Sequence, residues 1–427
     1  MNILSTLPWL ISAVGAYFIF RLKGFFILHP IRSILPVFKG SASDMSALAL
    51  ALAGTLGVGN ILGVSVGIAV GGAGSVLWLL ISAVFSSAIK YCEVCLSVDE
   101  VKTGGEGLIS LVRRGFGRLG KALSVIFTLL CLLLSLTMGS ALQCSAISEG
   151  ASSSLGIEPY HLLLPVLLAV AFLTLGGGEK IEKWTSIIIP LTTIIYIFLC
   201  FLIILPNFDR LPSVITKIIS EALHPKSTAG GILGFMLSKP ISEGYARGIL
   251  SNEAGAGTSS FAHIRSSERS AHSAGLFGIL EVLFDTVFLC SITAFAILTG
   301  LDEEALSEGG FLIGKAVSSG LGAGGGITLF ACIFLFAIAT VICWYYYGST
   351  CFIKLLGDKF APLYFPIFLI SSAFGILFDA DGLILIIDIL LFTLSLITLS
   401  TLLIYRERII EIHTLGLPNP QKQKTYK

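Results

Sequence analysis

Charge is what this 427-residue chain has least of: Asp, Glu, Lys and Arg make up 12% of it, about half of the ~25% usual in soluble domains. So few ions do not cover a water-facing surface, and the mean hydropathy of +0.93 places the chain in a membrane. The net charge of +1 offers no basic footprint for nucleic acid. Nucleotide signatures are missing too. No G-x-x-x-x-G-K-[ST] occurs, which excludes an ATP-driven pump within this chain, and Gly115-Phe116-Gly117-Arg118-Leu119-Gly120 matches G-x-G-x-x-G without a preceding strand. H-E-x-x-H is absent and no catalytic constellation is visible, so no enzyme and no cofactor are expected. Cys92-Glu93-Val94-Cys95 is a single C-x-x-C with no second pair, and the cysteines read as small hydrophobes. The N-terminus lacks a positive leader and a small-residue cleavage site, and reads as a retained helix.

What the chain has instead is apolar runs. Eleven spans are expected, near 3–20, 45–71, 73–98, 123–148, 161–176, 184–206, 229–250, 274–300, 326–348, 362–378 and 382–404. Twenty Lys and Arg fall in alternate loops and the tail: Arg21, Lys23, Arg32, Lys39; Lys102, Arg113, Arg114, Arg118, Lys121; Lys180, Lys183; Arg265, Arg269; Lys354, Lys359; and Arg406, Arg408, Lys422, Lys424, Lys427. The opposite loops hold four, Arg210, Lys217, Lys226 and Lys315. This bias puts the N-terminus outside and the C-terminus in the cytoplasm. Loop 207–228 reads as an amphipathic surface helix and residues 320–326 as a flexible connector.

Two spans carry helix breakers. In 45–71 these are Gly54, Gly57, Gly59 and Asn60; in 229–250 they are Ser238-Lys239-Pro240 and Gly244. Unwound backbone at membrane depth is tolerated where it lines a cavity. With the first span (1–44) set aside, the remaining ten divide into 45–206 and 229–404, each half opening on a broken helix, followed by a tail, 405–427. An odd number of spans per half inverts the second half relative to the first, so an all-α, single-domain transporter with a 5+5 inverted repeat is expected.

Several polar residues lie inside apolar spans, where they are expensive. Lys90 and Glu93, at i and i+3, read as a mutually neutralising pair. Asp285 and Asp388 have no local partner and either ligate a cation or bond a backbone amide. Gln143 is a pocket candidate. Thr340 and Trp344 stand one helical turn apart on one face. Arg247-Gly248-Ile249-Leu250-Ser251-Asn252-Glu253-Ala254-Gly255 is either an intracellular gate or a surface loop.

At these residues the chain resembles the alanine or glycine:cation symporter family, transporters with the LeuT-like inverted repeat. Gly54-Thr55-Leu56-Gly57-Val58-Gly59-Asn60-Ile61 resembles the family's G-T-V-G-T-G-N-I, and Lys90-Tyr91-Cys92-Glu93 its K-Y-A-E. The stretch from Arg247 to Gly255 resembles R-G-[LIV]-F-S-N-E-A-G, and Trp344-Tyr345-Tyr346-Tyr347-Gly348 resembles W-S-Y-Y-G. The resemblance implies Na+-coupled uptake of alanine or glycine across the bacterial inner membrane. It places substrate at Gly57, Val58, Gly59, Asn60, Gln143, Thr340 and Trp344; the residues themselves lead us to expect the cation at Gly54, Thr55 and Thr340, and gating or structural roles at Lys90, Glu93, Arg247, Ser251, Asn252, Glu253, Gly255 and Asp285. Three departures stand out. Val58 replaces the family's threonine, Ala339 replaces a serine, and Ser140 and Ser145 replace two asparagines around Gln143. Loss of the Ala339 hydroxyl leaves proton coupling as an alternative, and a passive channel is the rival class.

Overall fold

The computed structural model describes residues 6–28, 30, 40–223, 238–265, 270–378 and 381–417, with helix as its only regular secondary structure. In chain order these helices are α1 (Leu7–Arg21), α2 (Ala42–Thr55), α3 (Leu62–Gly71), α4 (Ser75–Lys102), α5 (Leu108–Gly115), α6 (Gly120–Leu136), α7 (Leu142–Leu155), α8 (Pro159–Thr174) and α9 (Gly177–Ile204). They continue with α10 (Leu211–Leu223), α11 (Lys239–Asn252), α12 (Ser260–His263), α13 (Ala271–Val282), α14 (Cys290–Gly300), α15 (Leu312–Leu356), α16 (Ala361–Leu377), α17 (Asp381–Ile404) and α18 (Arg406–Gly416). Seven helices among the described residues are long and apolar enough to cross a membrane, or eight counting the bent pair α2 and α3 as one span; α1 and α8 are shorter apolar helices.

Loops that the sequence places on alternate sides collect at two ends of the bundle. At one end Arg408 grips Asp99 with two bonds of 2.7 Å, Arg21 pairs with Glu407, Arg265 with Glu182 and Lys354 with Glu106. At the other, α10 buries Val214, Ile218 and Ala222 over the α3–α4 junction. There Trp78 Nε1 donates to the Ala222 carbonyl at 3.1 Å and Lys217 pairs with Glu303. The amphipathic helix expected in loop 207–228 therefore forms, and these are called the α18 end and the α10 end below.

The first break falls where the glycines are. Helix α2 starts on a capping box, Ser41 Oγ accepting from the Asp44 N–H and Asp44 Oδ2 from the Ser41 N–H. It ends at Thr55, three 3₁₀ residues (58–60) follow, and the two arms meet at a bend of 61°. A continuous helix would join the Val58 N–H to the Gly54 carbonyl. Here Gln143 Oε1 takes that N–H at 3.2 Å and Trp344 Nε1 donates to that carbonyl at 3.2 Å. Side chains from two other helices thus satisfy both orphaned groups, which a dry bilayer requires.

Of the breakers expected in the second span, Gly244 does not interrupt the helix. Residues 224–237 lie outside the described residues, and from Lys239 to Asn252 the chain is one uninterrupted helix. Pro240 sits in its first turn, where proline is tolerated. Gly244 and Gly248 serve close packing on α4, because a Cβ there would meet the Ser75 carbonyl oxygen at 2.3 Å and Ser82 Oγ at 2.0 Å. Unwinding comes after Asn252: Glu253 is left-handed (φ 53°) and Gly255 and Gly257 have φ of 92° and 75°. The Asn252 side chain terminates the helix, its amide donating to the Gly248 carbonyl at 2.7 Å and its oxygen accepting from the Ala254 N–H at 3.0 Å. The connector expected at 320–326 is also corrected. Helix continues through it inside α15, apart from one departure at Gly322 (φ 62°, ψ −157°).

Candidate functional site

The two breaks border one cavity of about 240 Å³. Its floor is the first break, with Gly54, Thr55, Gly57, Val58 and Gly59; Met138, Leu142, Gln143, Ser145 and Ala146 form one wall. Arg247, Leu250 and Glu253 come from α11 and the turn after it, and Ile384, Ile387 and Asp388 from α17. The cavity runs toward the α10 end, where Glu149, Val66 and Asp388 border it.

Each polar group has a local cause. Residues 137–141 form a π-helical turn between α6 and α7, and such bulges re-aim side chains at functional positions. Gln143, just after it, points at the break: Oε1 accepts from the Val58 N–H, while Nε2 donates to the Met138 carbonyl at 3.3 Å. The amide oxygen therefore occupies one of the donors at the start of the 3₁₀ turn, where an anion would also bind. Gly57 is small by necessity, since a Cβ would lie 2.8 Å from Gln143 Oε1 and 3.0 Å from Thr340 Oγ1. The Thr340 hydroxyl is thus adjacent to the break, although it donates to the Phe336 carbonyl at 3.0 Å.

Asn60, Thr340 and Trp344 lie outside the cavity lining. Trp344 is fully buried behind Gly54 and Gly139, and a Cβ on Gly139 would meet its Cγ at 2.3 Å. Asn60 faces a second polar centre. Its Nδ2 donates to Asp285 Oδ1 at 2.6 Å, while Ser251 and Thr286 hydroxyls each donate to Asp285 Oδ2 at 2.7 Å. Asn252 Nδ2 extends this network to Thr286 at 3.1 Å. Asp285 sits in another π-helical stretch, 283–289, and is fully buried. Its partners are side chains from both broken helices, so one carboxylate ties the two breaks together.

The run after Arg247 is no surface loop, for Ser251, Asn252 and Glu253 are all buried. Arg247 reaches Glu243 at 3.1 Å and lays its stem over Gly67, whose Cβ would meet Arg247 Cγ at 3.3 Å. Lys90 departs from the pairing its spacing suggests. Its ammonium lies 3.2 Å from Glu281 Oε1, a residue of α13, so its ion pair runs between helices. Glu281 was legible only as one more ionisable group inside an apolar span. Nothing in the sequence singles out Ile384, Ile387 or Ala146 as lining, because ordinary apolar residues become lining only through the packing of distant helices.

Comparison with known proteins agrees with this architecture. Residues 2–417 match the model of the sodium:alanine symporter family. An uncharacterised transporter of Haemophilus influenzae is 30% identical over 94% of this chain and 91% of its own length. A putative sodium/proton-dependent alanine carrier of Bacillus subtilis is 32% identical over 80% of this chain and 74% of its own. A sodium/alanine symporter of Methanococcus maripaludis is 29% identical, covering 79% and 76%. With a multi-pass helical fold, two unwound segments around one cavity and a match over nearly its whole length, this chain belongs to the sodium:alanine symporter family.

Proposed function

We propose that this protein imports a small neutral amino acid, alanine or glycine, together with Na+ across a bacterial inner membrane by alternating access. The observation that carries the reading is the first break, with its 3₁₀ turn opening on the cavity. A carboxylate would displace or join the Gln143 oxygen at the Val58 N–H, drawn by the positive end of the half-helix. The ammonium would lie toward Leu250 and Glu253, where α11 ends and its last carbonyls carry the negative end of a helix dipole. A volume of about 240 Å³ is below the ~300–1,000 Å³ of sites for drug-sized ligands, which favours a substrate of few heavy atoms. The arrangement is eleven spans with the N-terminus outside, residues 45–206 and 229–404 forming the inverted halves, with 405–427 cytoplasmic.

The cation is assigned to the carbonyls of Gly54 and Thr55 with the Thr340 hydroxyl, hard oxygen ligands suited to Na+. Those carbonyls already accept from Trp344 and from the Gly57 N–H, leaving one lone pair each. The Asp285 centre favours a second seat, because it offers a carboxylate beside the Asn60, Ser251 and Thr286 oxygens. Mutual stabilisation of ion and substrate follows from reciprocity of coupling. Uptake of labelled alanine into proteoliposomes tests the proposal. Replacement of Na+ by choline should abolish accumulation, and Asn60→Ala should do the same while leaving the protein folded and inserted. Flux that only equilibrates, with or without Na+, would make this a passive channel.

A further inference from the structure

Between the cavity and the α18 end the chain buries a group of charges for which the transport reading has no use. Lys90 and Glu93 come from α4, Glu253 from the turn after α11, His263 from α12 and Glu281 from α13, each at most 3% exposed. Glu281 is fully compensated. It accepts from the Lys90 ammonium and the Ser259 hydroxyl on one oxygen and faces His263 Nε2 at 3.0 Å on the other. Lys90 also bonds the Ser259 hydroxyl. Glu253 receives one hydroxyl, from Thr258 at 2.7 Å. Glu93 receives less. Its oxygens face the Gly255 and Gly257 N–H groups, yet among the described residues neither accepts a well-formed hydrogen bond.

The charges do not balance. One ammonium, already paired with Glu281, stands within electrostatic reach of Glu93 and Glu253 as well. Among the described residues the other groups facing them add no cation: Asp285 from the π-helical stretch is a further acid, while Tyr347 and Cys343 of α15, Cys131 of α6 and Cys92 of α4 are neutral. Arg247 and Arg265 are engaged with Glu243 and Glu182. Protonating His263 would remove only one of the two surplus negative charges. A buried carboxylate without a counter-charge takes up a proton before it tolerates ionisation in a dry site. Among the described residues no three His, Cys, Asp or Glu side chains come together as metal ligands, so a bound metal does not supply the missing charge.

We propose that Glu253 and Glu93 form a proton-binding site that holds one proton near neutral pH and exchanges it with the cavity through Glu253. Of the five charged residues Glu253 alone borders the cavity. It also sits in the left-handed conformation that, among the described residues, one other non-glycine adopts. Such a backbone persists only while its surroundings enforce it, so rearrangement of the break moves this carboxylate. The proton site stands on the charge count by itself; its role as a coupling site rests on the transport reading above.

Infrared difference spectra of the purified full-length chain, titrated in pH without substrate, test it. The wild type should show the carbonyl stretch of a protonated carboxyl at neutral pH, vanishing at alkaline pH. Glu253→Gln should remove most of its amplitude, and Glu93→Gln should shift its midpoint by about one unit or more, the scale of one lost neighbouring charge. A wild-type spectrum without that band at neutral pH overturns the proposal, as does a band unaltered in both variants. Labelled-alanine uptake is scored separately. Absent uptake with the band intact counts against transport and for the proton site, whereas uptake without the band counts the other way.

Discussion

Gly57→Ala separates the substrate reading from a purely structural one. The backbone at Gly57 has φ −86° and ψ −157°, which an alanine adopts freely, so no strain arises from the main chain. All of the effect comes from the new methyl, 2.8 Å from Gln143 Oε1, 3.0 Å from Thr340 Oγ1 and 3.1 Å from Gln143 Nε2. These are ends of side chains, and the Gln143 amide has room to retreat into the cavity it borders. Retreat breaks its bond to the Val58 N–H, a loss of about 0.5–1.5 kcal/mol. The folded protein should therefore survive. The ligand should fare worse, because the methyl takes the place where a carboxylate meets the break. Loss of one charge-assisted hydrogen bond, ~1.5–3 kcal/mol, corresponds to about ten- to a hundred-fold weaker binding. Labelled-alanine binding to detergent-purified protein and uptake in proteoliposomes measure this. Gly324→Ala, with open space around its Cβ, controls for handling. Gly59→Ala adds a methyl whose nearest neighbour is Ser251 Cα at 3.8 Å, so affinity lost there reports on the ligand rather than on repacking. Wild-type affinity in Gly57→Ala would remove the first break from the substrate site.

Two further predictions concern the α18 end. Lys90→Met alone should destabilise by about 3–5 kcal/mol, since it strands the buried Glu281 carboxylate, whereas Lys90→Met with Glu281→Met should recover much of the loss; no recovery in thermal unfolding of the double variant would show that the two do not act as a pair. His413 on α18 is buried beside Tyr91 and His272, its Nδ1 3.2 Å from the Tyr91 hydroxyl. Burial, reinforced by His272, pushes its pKa down to about 3 from an unfolded value of ~6.5. The unfolded chain then binds the extra proton, so this contribution is whole above pH ~6.5 and erodes as pH falls toward 3, by up to ~1.4 kcal/mol per unit. His413→Gln should flatten the acid slope of the unfolding temperature, and an unchanged slope would assign it to other groups.

The first break was legible because its cause is local. Gly54, Gly57 and Gly59 weaken one helix within six residues, and the structure bends it there by 61°. In the second, Gly244 was misjudged because a glycine looks alike on paper whether it interrupts a helix or packs one. Only the depth of Ser75 and Trp78 beneath Gly244 decides. The pairing of Lys90 failed for a related reason. Spacing of i and i+3 brings Glu93 to the same face, but α13 packs on that face and delivers Glu281 closer. Polar residues in apolar spans announced themselves, while their partners did not, since a partner is chosen by tertiary packing.

The two ends of the cavity are bounded by different means, and the alternating access proposed above would depend on that difference. Toward the α18 end, Lys90, Ser259, Glu281 and His263 join α4, α12 and α13 in one water-free network. Toward the α10 end the polar groups are Glu149, exposed, and Arg247 and Asp388, both half-buried. Breaking the buried network costs far more than parting surface charges, so the α18 side is the more firmly held of the two. To open that side, ligands must supply the difference in free energy between the two states. Glu253 is placed to deliver it, because it belongs to the break, borders the cavity and feels the Lys90 charge. An amino acid whose ammonium approaches Glu253 would draw off the proton proposed there.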